Sequence, residues 1–97
     1  MIRFRPAAAR EFDADFRYYE KDHPGRGHRF VAAVDAVLRR IAETPKQFPL
    51  LFEPEIRSAK VPRFPYRVVY VLVSADIDVI AVAHAKRRPA YWRRRIK

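Results

Sequence analysis

The sequence contains no cysteine. A disulfide framework and thiolate metal sites are therefore excluded. Glycine is almost as scarce: Gly25 and Gly27 are the only two, so no glycine-rich loop is available to cradle a phosphate. His23, His28 and His84 lack metal-ligand spacing and have no partner one helical turn away. No serine sits in a nucleophile elbow. Neither a cofactor nor a metal is expected. No apolar run approaches the ~20 residues needed to span a bilayer; the longest, Val68 to Val73, has strand length. Met1-Ile2-Arg3-Phe4-Arg5 lacks the apolar stretch of a signal peptide. A cytoplasmic location without a membrane partner is expected.

Acidic residues are missing from one part of the chain. Residues 1–56 carry ten Lys/Arg and nine Asp/Glu, a net of +1, whereas residues 57–97 carry eleven Lys/Arg and two Asp, a net of +9. Sixteen of the 21 basic residues are Arg, whose planar fork pairs with phosphate or carboxylate. A nucleic-acid backbone and an acidic protein segment both fit this asymmetry. The plain alternative is a soluble, high-pI surface with no specific target.

The 97 residues suffice for one domain, 1–97. A chain of this size buries roughly 60 to 65% of its unfolded surface. Its working site is therefore expected to be a surface groove rather than an internal chamber.

Residues 2–5 suit a first strand. Pro6 then opens a helix, where its missing N–H costs nothing. Ala9, Phe12, Phe16 and Tyr19 recur at helical spacing, with Glu11, Asp13, Arg17 and Glu20 off that face. Asp22-His23-Pro24-Gly25 supplies a turn. Phe30, Val34, Val37, Leu38 and Ile41 mark a second helix, stopped at Thr44-Pro45. The short link predicts an antiparallel helical hairpin. Phe48 to Pro54 reads as an irregular connection.

The period then changes to two. Arg57 to Val61 is a strand, interrupted by Pro62-Arg63-Phe64-Pro65. Tyr66 to Val73 is β-branched and aromatic, apolar on both faces like a central strand. Residues 74–78 read as a turn, and Val79 to Ala85 as a further strand paired antiparallel with the last. The order β-α-α-β-β-β is an α+β fold: a helical hairpin packed on one face of a small antiparallel sheet.

Candidate functional residues gather after residue 56. Arg67 shares a strand face with Val69 and Val71, where a cation needs either a partner or a groove, or else reaches solvent along its stem. Tyr91 and Trp92 interleave with arginines, and aromatic rings next to guanidinium groups suit bases and phosphates. For Trp92 the favoured reading is that it folds back over a sheet edge, since large aromatics are mostly buried. His84 is either a strand-end histidine bonded to backbone or an acid/base group near neutral pH, paired with Glu53 or Glu55.

Taken in order, these residues resemble the RelE/ParE superfamily of toxins from type II toxin–antitoxin pairs. The likeness rests on Phe12, Tyr18-Tyr19, the Phe30 helix ending at Pro45, Arg63-Phe64-Pro65-Tyr66-Arg67-Val68-Val69-Tyr70, and His84, Arg87-Arg88-Pro89, Tyr91-Trp92. The Phe-Pro-Tyr step joined to His-x-x-Arg-Arg-Pro-x-Tyr-Trp is most similar to the ParE-like, plasmid-stabilisation branch.

The resemblance implies a growth inhibitor neutralised by a small acidic antitoxin in a toxin–antitoxin hetero-oligomer. For the ParE-like branch it implies action on DNA gyrase. For RelE-like relatives it implies cleavage of messenger RNA on the ribosome. In the cleavage case Arg67 and Arg87 would hold the scissile phosphate. Lys60 would aid deprotonation or charge balance, Tyr91 would stack a base or move a proton, and His84 would be a further acid/base candidate. Arg57, Arg63, Arg88, Trp92 and Arg94 complete the expected binding set. Tyr91 lies two residues closer to Arg87 than in RelE-like relatives. A non-toxic nucleic-acid-binding module is the third reading.

Overall fold

The computed structural model describes residues 1–53 and 55–96. Its elements are β1 (Ile2–Phe4), α1 (Pro6–Asp22), α2 (Arg26–Glu43), β2 (Leu50–Phe52), β3 (Ile56–Val61), β4 (Tyr66–Val73) and β5 (Asp76–His84). A short 3-10 turn over Tyr91–Ile96 follows. The strands form one sheet in the order β1-β5-β4-β3-β2.

Pro6 stands in the first turn of α1, as its fixed φ favours. The two helices meet closely at Gly27, where a Cβ would lie 2.7 Å from the Phe16 carbonyl oxygen. Any side chain there would force the hairpin apart. Gly25 takes φ 89° at the start of α2, a conformation glycine adopts without strain. Glu20 reaches from α1 to accept the N–H groups of Gly25 at 2.9 Å and Gly27 at 3.0 Å. One helix thus caps the orphan donors of the next. These N–H groups, Gly25 first, hold the Glu20 carboxyl below the usual carboxylate range.

The hairpin covers one face of the sheet. Phe30, Val34, Val37 and Ile41 pack on Ala59, Val61, Val68, Tyr70 and Val79, all buried. Phe30 sits among Phe12, Tyr19, Phe64 and Tyr66, with ring centroids 4.9 to 5.7 Å apart. These are the distances at which offset and edge-on rings attract.

The helix-free face has its own core. Ile56, Val69, Ile80 and Ala81 form it, and Trp92 from the C-terminal turn closes it. Val68, Val69 and Tyr70 of β4 are all buried, Val68 and Tyr70 in the core under the helices and Val69 in the core on the other face. That explains why β4 reads as apolar on both faces.

Three elements differ from the sequence reading. The stretch read as an irregular connection contains β2, which pairs antiparallel with β3. In addition, β1 pairs parallel with β5, Ile2 opposite Ile77 and Phe4 opposite Val79, so the sheet is mixed. The rest of the α+β arrangement stands as read. Strand β5 also begins earlier, at Asp76, because Ser74 takes φ 57° and turns the chain within two residues. Among the described residues, no helix is long and apolar enough to cross a membrane.

Candidate functional site

The β3–β4 hairpin builds the first half of the site. Its register places Lys60 opposite Arg67. Alternation sends Ala59, Val61, Tyr66 and Val68 into the core beneath the helices. Lys60 and Arg67 are thereby left exposed on the other face. Two like charges directly opposite each other on a sheet repel, so the pair stores an affinity for anions. Arg67 Nη1 donates only a long hydrogen bond, 3.4 Å, to Ser58 Oγ.

The end of β5 builds the second half. Tyr66 stands opposite His84, their rings edge to face at 4.9 Å. The Ala85 N–H donates to the Pro65 carbonyl at 2.8 Å, tying the two chain reversals together. His84 Nδ1 accepts the Lys86 N–H at 2.9 Å. This fixes the neutral ring as the Nε2–H tautomer, with its donor side outward. The Arg87 N–H donates to the His84 carbonyl at 3.0 Å, so a tight turn presents Arg87 and Arg88.

Together these segments enclose a groove of about 460 Å³. Lys60, Arg67, His84, Arg87, Arg88 and Tyr91 line it, over an apolar floor that includes Val69, Ala83 and Trp92. The sequence candidates Lys60, Arg67, His84, Arg87 and Tyr91 therefore share one groove. No carboxylate stands in its lining among the described residues.

The expected binding residues divide. Arg88 lines the groove. Trp92 is 3% exposed and packs into the helix-free core, so it offers no open face to a base. Arg57 is turned to structural use: Nη1 donates to the Phe48 carbonyl at 2.7 Å, and Nη2 lies 3.6 Å from Glu55. Arg63, at φ 72°, lines a separate depression with Arg26 and Arg29. Arg94 is exposed on the C-terminal turn, outside the groove lining.

One residue escaped the sequence reading. Glu11 accepts the Tyr91 hydroxyl hydrogen bond and two from Arg95, at 2.9 and 3.0 Å. Burial first, and the Glu11 bond second, push the Tyr91 phenol well above its ordinary pKa. Nothing in the sequence marks Glu11 apart from any other polar position of α1. Glu53 and Glu55, the expected carboxylate partners of His84, are absent from the groove lining.

A second depression lies between α1 and the His84–Arg87 corner, lined by Asp15, Tyr18, Tyr19 and Tyr66. Burial raises the Asp15 carboxyl above its ordinary 3.8, and the neighbouring Tyr66 hydroxyl offsets only part of that. The folded state therefore holds the Asp15 proton to higher pH than the unfolded chain. Its contribution falls as pH rises from about 3.8 through the folded value and is level above it. Asp15→Asn is expected to flatten this part of the stability–pH profile and to raise Tm at pH 7, as thermal unfolding at several pH values would read.

Among the described residues, no group of three or more His, Asp or Glu side chains is arranged to hold a metal ion. A family model described as the ParE toxin of type II toxin–antitoxin systems, parDE, matches residues 2–89. No curated protein matches the sequence. A solved structure described as the chromosomal ParDE TA system from P. aeruginosa is similar in fold. It has a TM-score of 0.74 at 16% identity, over 88% of this chain and 95% of that one. At that identity the structural likeness speaks for the fold alone, whereas the family match spans both helices, the whole sheet and the groove through Arg88. The chain belongs to the ParE toxin family of type II toxin–antitoxin systems.

Proposed function

We propose that the chain inhibits growth in the cytoplasm by binding DNA gyrase through the cationic groove. A small acidic antitoxin covers the same groove in a hetero-oligomer and neutralises it. The observation that carries this reading is the groove's lining, which offers donors and cations without a carboxylate among the described residues. Binding an anionic or acceptor-rich surface needs only that. Cleavage of RNA by its own 2′-OH needs in addition a group that takes up a proton. The Tyr91 hydroxyl is a poor one, since it donates to Glu11 and its pKa is raised. His84 already uses Nδ1 as an acceptor for the Lys86 N–H.

A second reading has its own support. Lys60, Arg67, His84, Arg87 and Tyr91 lie along one groove, as a ribosome-dependent endoribonuclease would require. The two readings separate in vitro. Purified protein added to gyrase is expected to block supercoiling while leaving a translated message intact. Codon-phased cuts in that message with supercoiling unaffected would favour the endoribonuclease. Salt-sensitive binding to naked DNA or RNA without growth inhibition would leave only a nucleic-acid-binding module.

A further inference from the structure

Strand β1 ends opposite Val79. Beyond it, side chains complete the edge of β5. The Val82 N–H donates to Glu11 Oε1 at 3.3 Å, and Arg95 Nη1 donates to the Ile80 carbonyl at 3.1 Å. Glu11 and Arg95 bind each other through both carboxylate oxygens, so a helix on one face and the C-terminal turn on the other clamp this edge. From outside the groove lining, the same carboxylate holds two residues that belong to it, Tyr91 and Arg87. Glu11 Oε2 accepts the Tyr91 hydroxyl and lies 3.7 Å from Arg87 Nη1. The Arg87 guanidinium rests 3.8 Å above the Tyr91 ring, a distance at which cation and π-face attract. Glu11 itself is 13% exposed, whereas Arg87 is 53% exposed.

We propose that Glu11 is the positioning residue of the groove. Its carboxylate fixes Tyr91 and aims Arg87 at an anionic partner, and it stays out of contact with that partner. The inference rests on the groove being the working surface. A free arginine surrenders side-chain entropy each time it binds, and one already stacked and paired surrenders less. The remaining lone-pair sites of Glu11 are taken by Val82, Tyr91 and Arg95. The Arg87 contact, at 3.7 Å, is the loosest of the set, so an incoming anion can engage Arg87 without dismantling the clamp.

The test is a double-mutant cycle of Glu11→Ala with Arg87→Ala. It is read as growth inhibition on induced expression and as inhibition of purified gyrase. Glu11→Ala, still folded by circular dichroism, is expected to need about tenfold more protein for the same inhibition. Arg87→Ala added to it is expected to cost little more, because Arg87 has already lost its aim. Glu11→Gln keeps an acceptor for Tyr91 and lacks the charge, so its loss falls between. Arg63→Ala, outside the groove, adds independently. A merely structural Glu11 would instead lower Tm and give losses additive with Arg87→Ala. Additive losses, or full inhibition by folded Glu11→Ala, overturn the inference. If Glu11→Ala does not fold, the same cycle run with Glu11→Gln decides it. A wild-type chain without effect on growth overturns the functional reading and this inference with it. An active wild type matched by an equally active Glu11→Ala overturns the inference alone.

Discussion

Trp92→Ala is expected to destabilise the fold by about 3–5 kcal/mol, the usual cost of emptying a large buried aromatic site. Trp92 is 3% exposed and is the largest side chain against Ile56, Val69, Ile80 and Ala81. Its ring also meets Phe52 edge to face at 5.8 Å, and Arg93 lies 4.4 Å over that phenylalanine. The helices cannot relax into the gap, because the sheet stands between them and Trp92. Domains of this size hold about 5–15 kcal/mol in all, so the loss is a large share. It should lower Tm by on the order of 15 °C. Denaturant unfolding of Trp92→Ala and Trp92→Phe checks this, with the phenylalanine expected to restore most of the loss. A cost under about 1 kcal/mol for Trp92→Ala would mean that the C-terminal turn is not docked.

The second large effect concerns function. Arg67→Ala with Arg87→Ala is expected to leave the fold intact and weaken growth inhibition about a hundredfold or more. Each charged hydrogen bond lost contributes about 1.5–3 kcal/mol, and two together exceed the roughly 2.7 kcal/mol of a hundredfold change. Stability should hardly move. Arg67 is exposed beside a like charge, Lys60, so its removal relieves repulsion. Arg87 is also exposed, and its contact with Glu11, at 3.7 Å, is long.

The helices and the central strands were legible because burial on one face imposes a period on the chain. Phe30, Val34, Val37 and Ile41 announce a helix, and all four are buried under it. Tyr66 to Val73 is apolar on both faces, and cores on both sides of the sheet explain that. The parallel pairing of β1 with β5 was not legible, since a three-residue strand carries no period and its partner lies some 75 positions away. Strand β2 was hidden for a similar reason. Leu50 and Leu51 are each 42% exposed and only Phe52 packs on the core, so this three-residue edge strand has no periodic pattern to show.

The candidate site divides in the same way. Arg67 could be named from charge and strand period, because a basic side chain in an apolar stretch is conspicuous, whereas Lys60, His84 and Arg87 stood out only as members of a basic and aromatic set until the family resemblance gave them roles. Arg57 carries the same chemical signal, yet the fold spends it on the Phe48 carbonyl, while Trp92 enters the core, as the usual burial of large aromatics favours. Side-chain type gives chemistry, and only packing decides whether that chemistry faces solvent. Glu11 is the opposite case. An acidic residue on a helix is ordinary in sequence and becomes singular only when a distant turn delivers Tyr91, Arg95 and Arg87 to it.

Whether the groove or the chain's overall positive charge produces inhibition can be measured directly. One variant loses four groove cations, Lys60, Arg67, Arg87 and Arg88, to alanine. A second loses four exposed arginines elsewhere, Arg17, Arg29, Arg39 and Arg63. Both start from the same net charge of +10 and shed the same amount. With folding verified, growth is followed after induced expression. The groove variant is expected to let cells grow as if uninduced, while the matched variant inhibits within a few-fold of the wild type. Equal losses in the two variants, or full inhibition by the groove variant, would contradict the assignment of function to this groove.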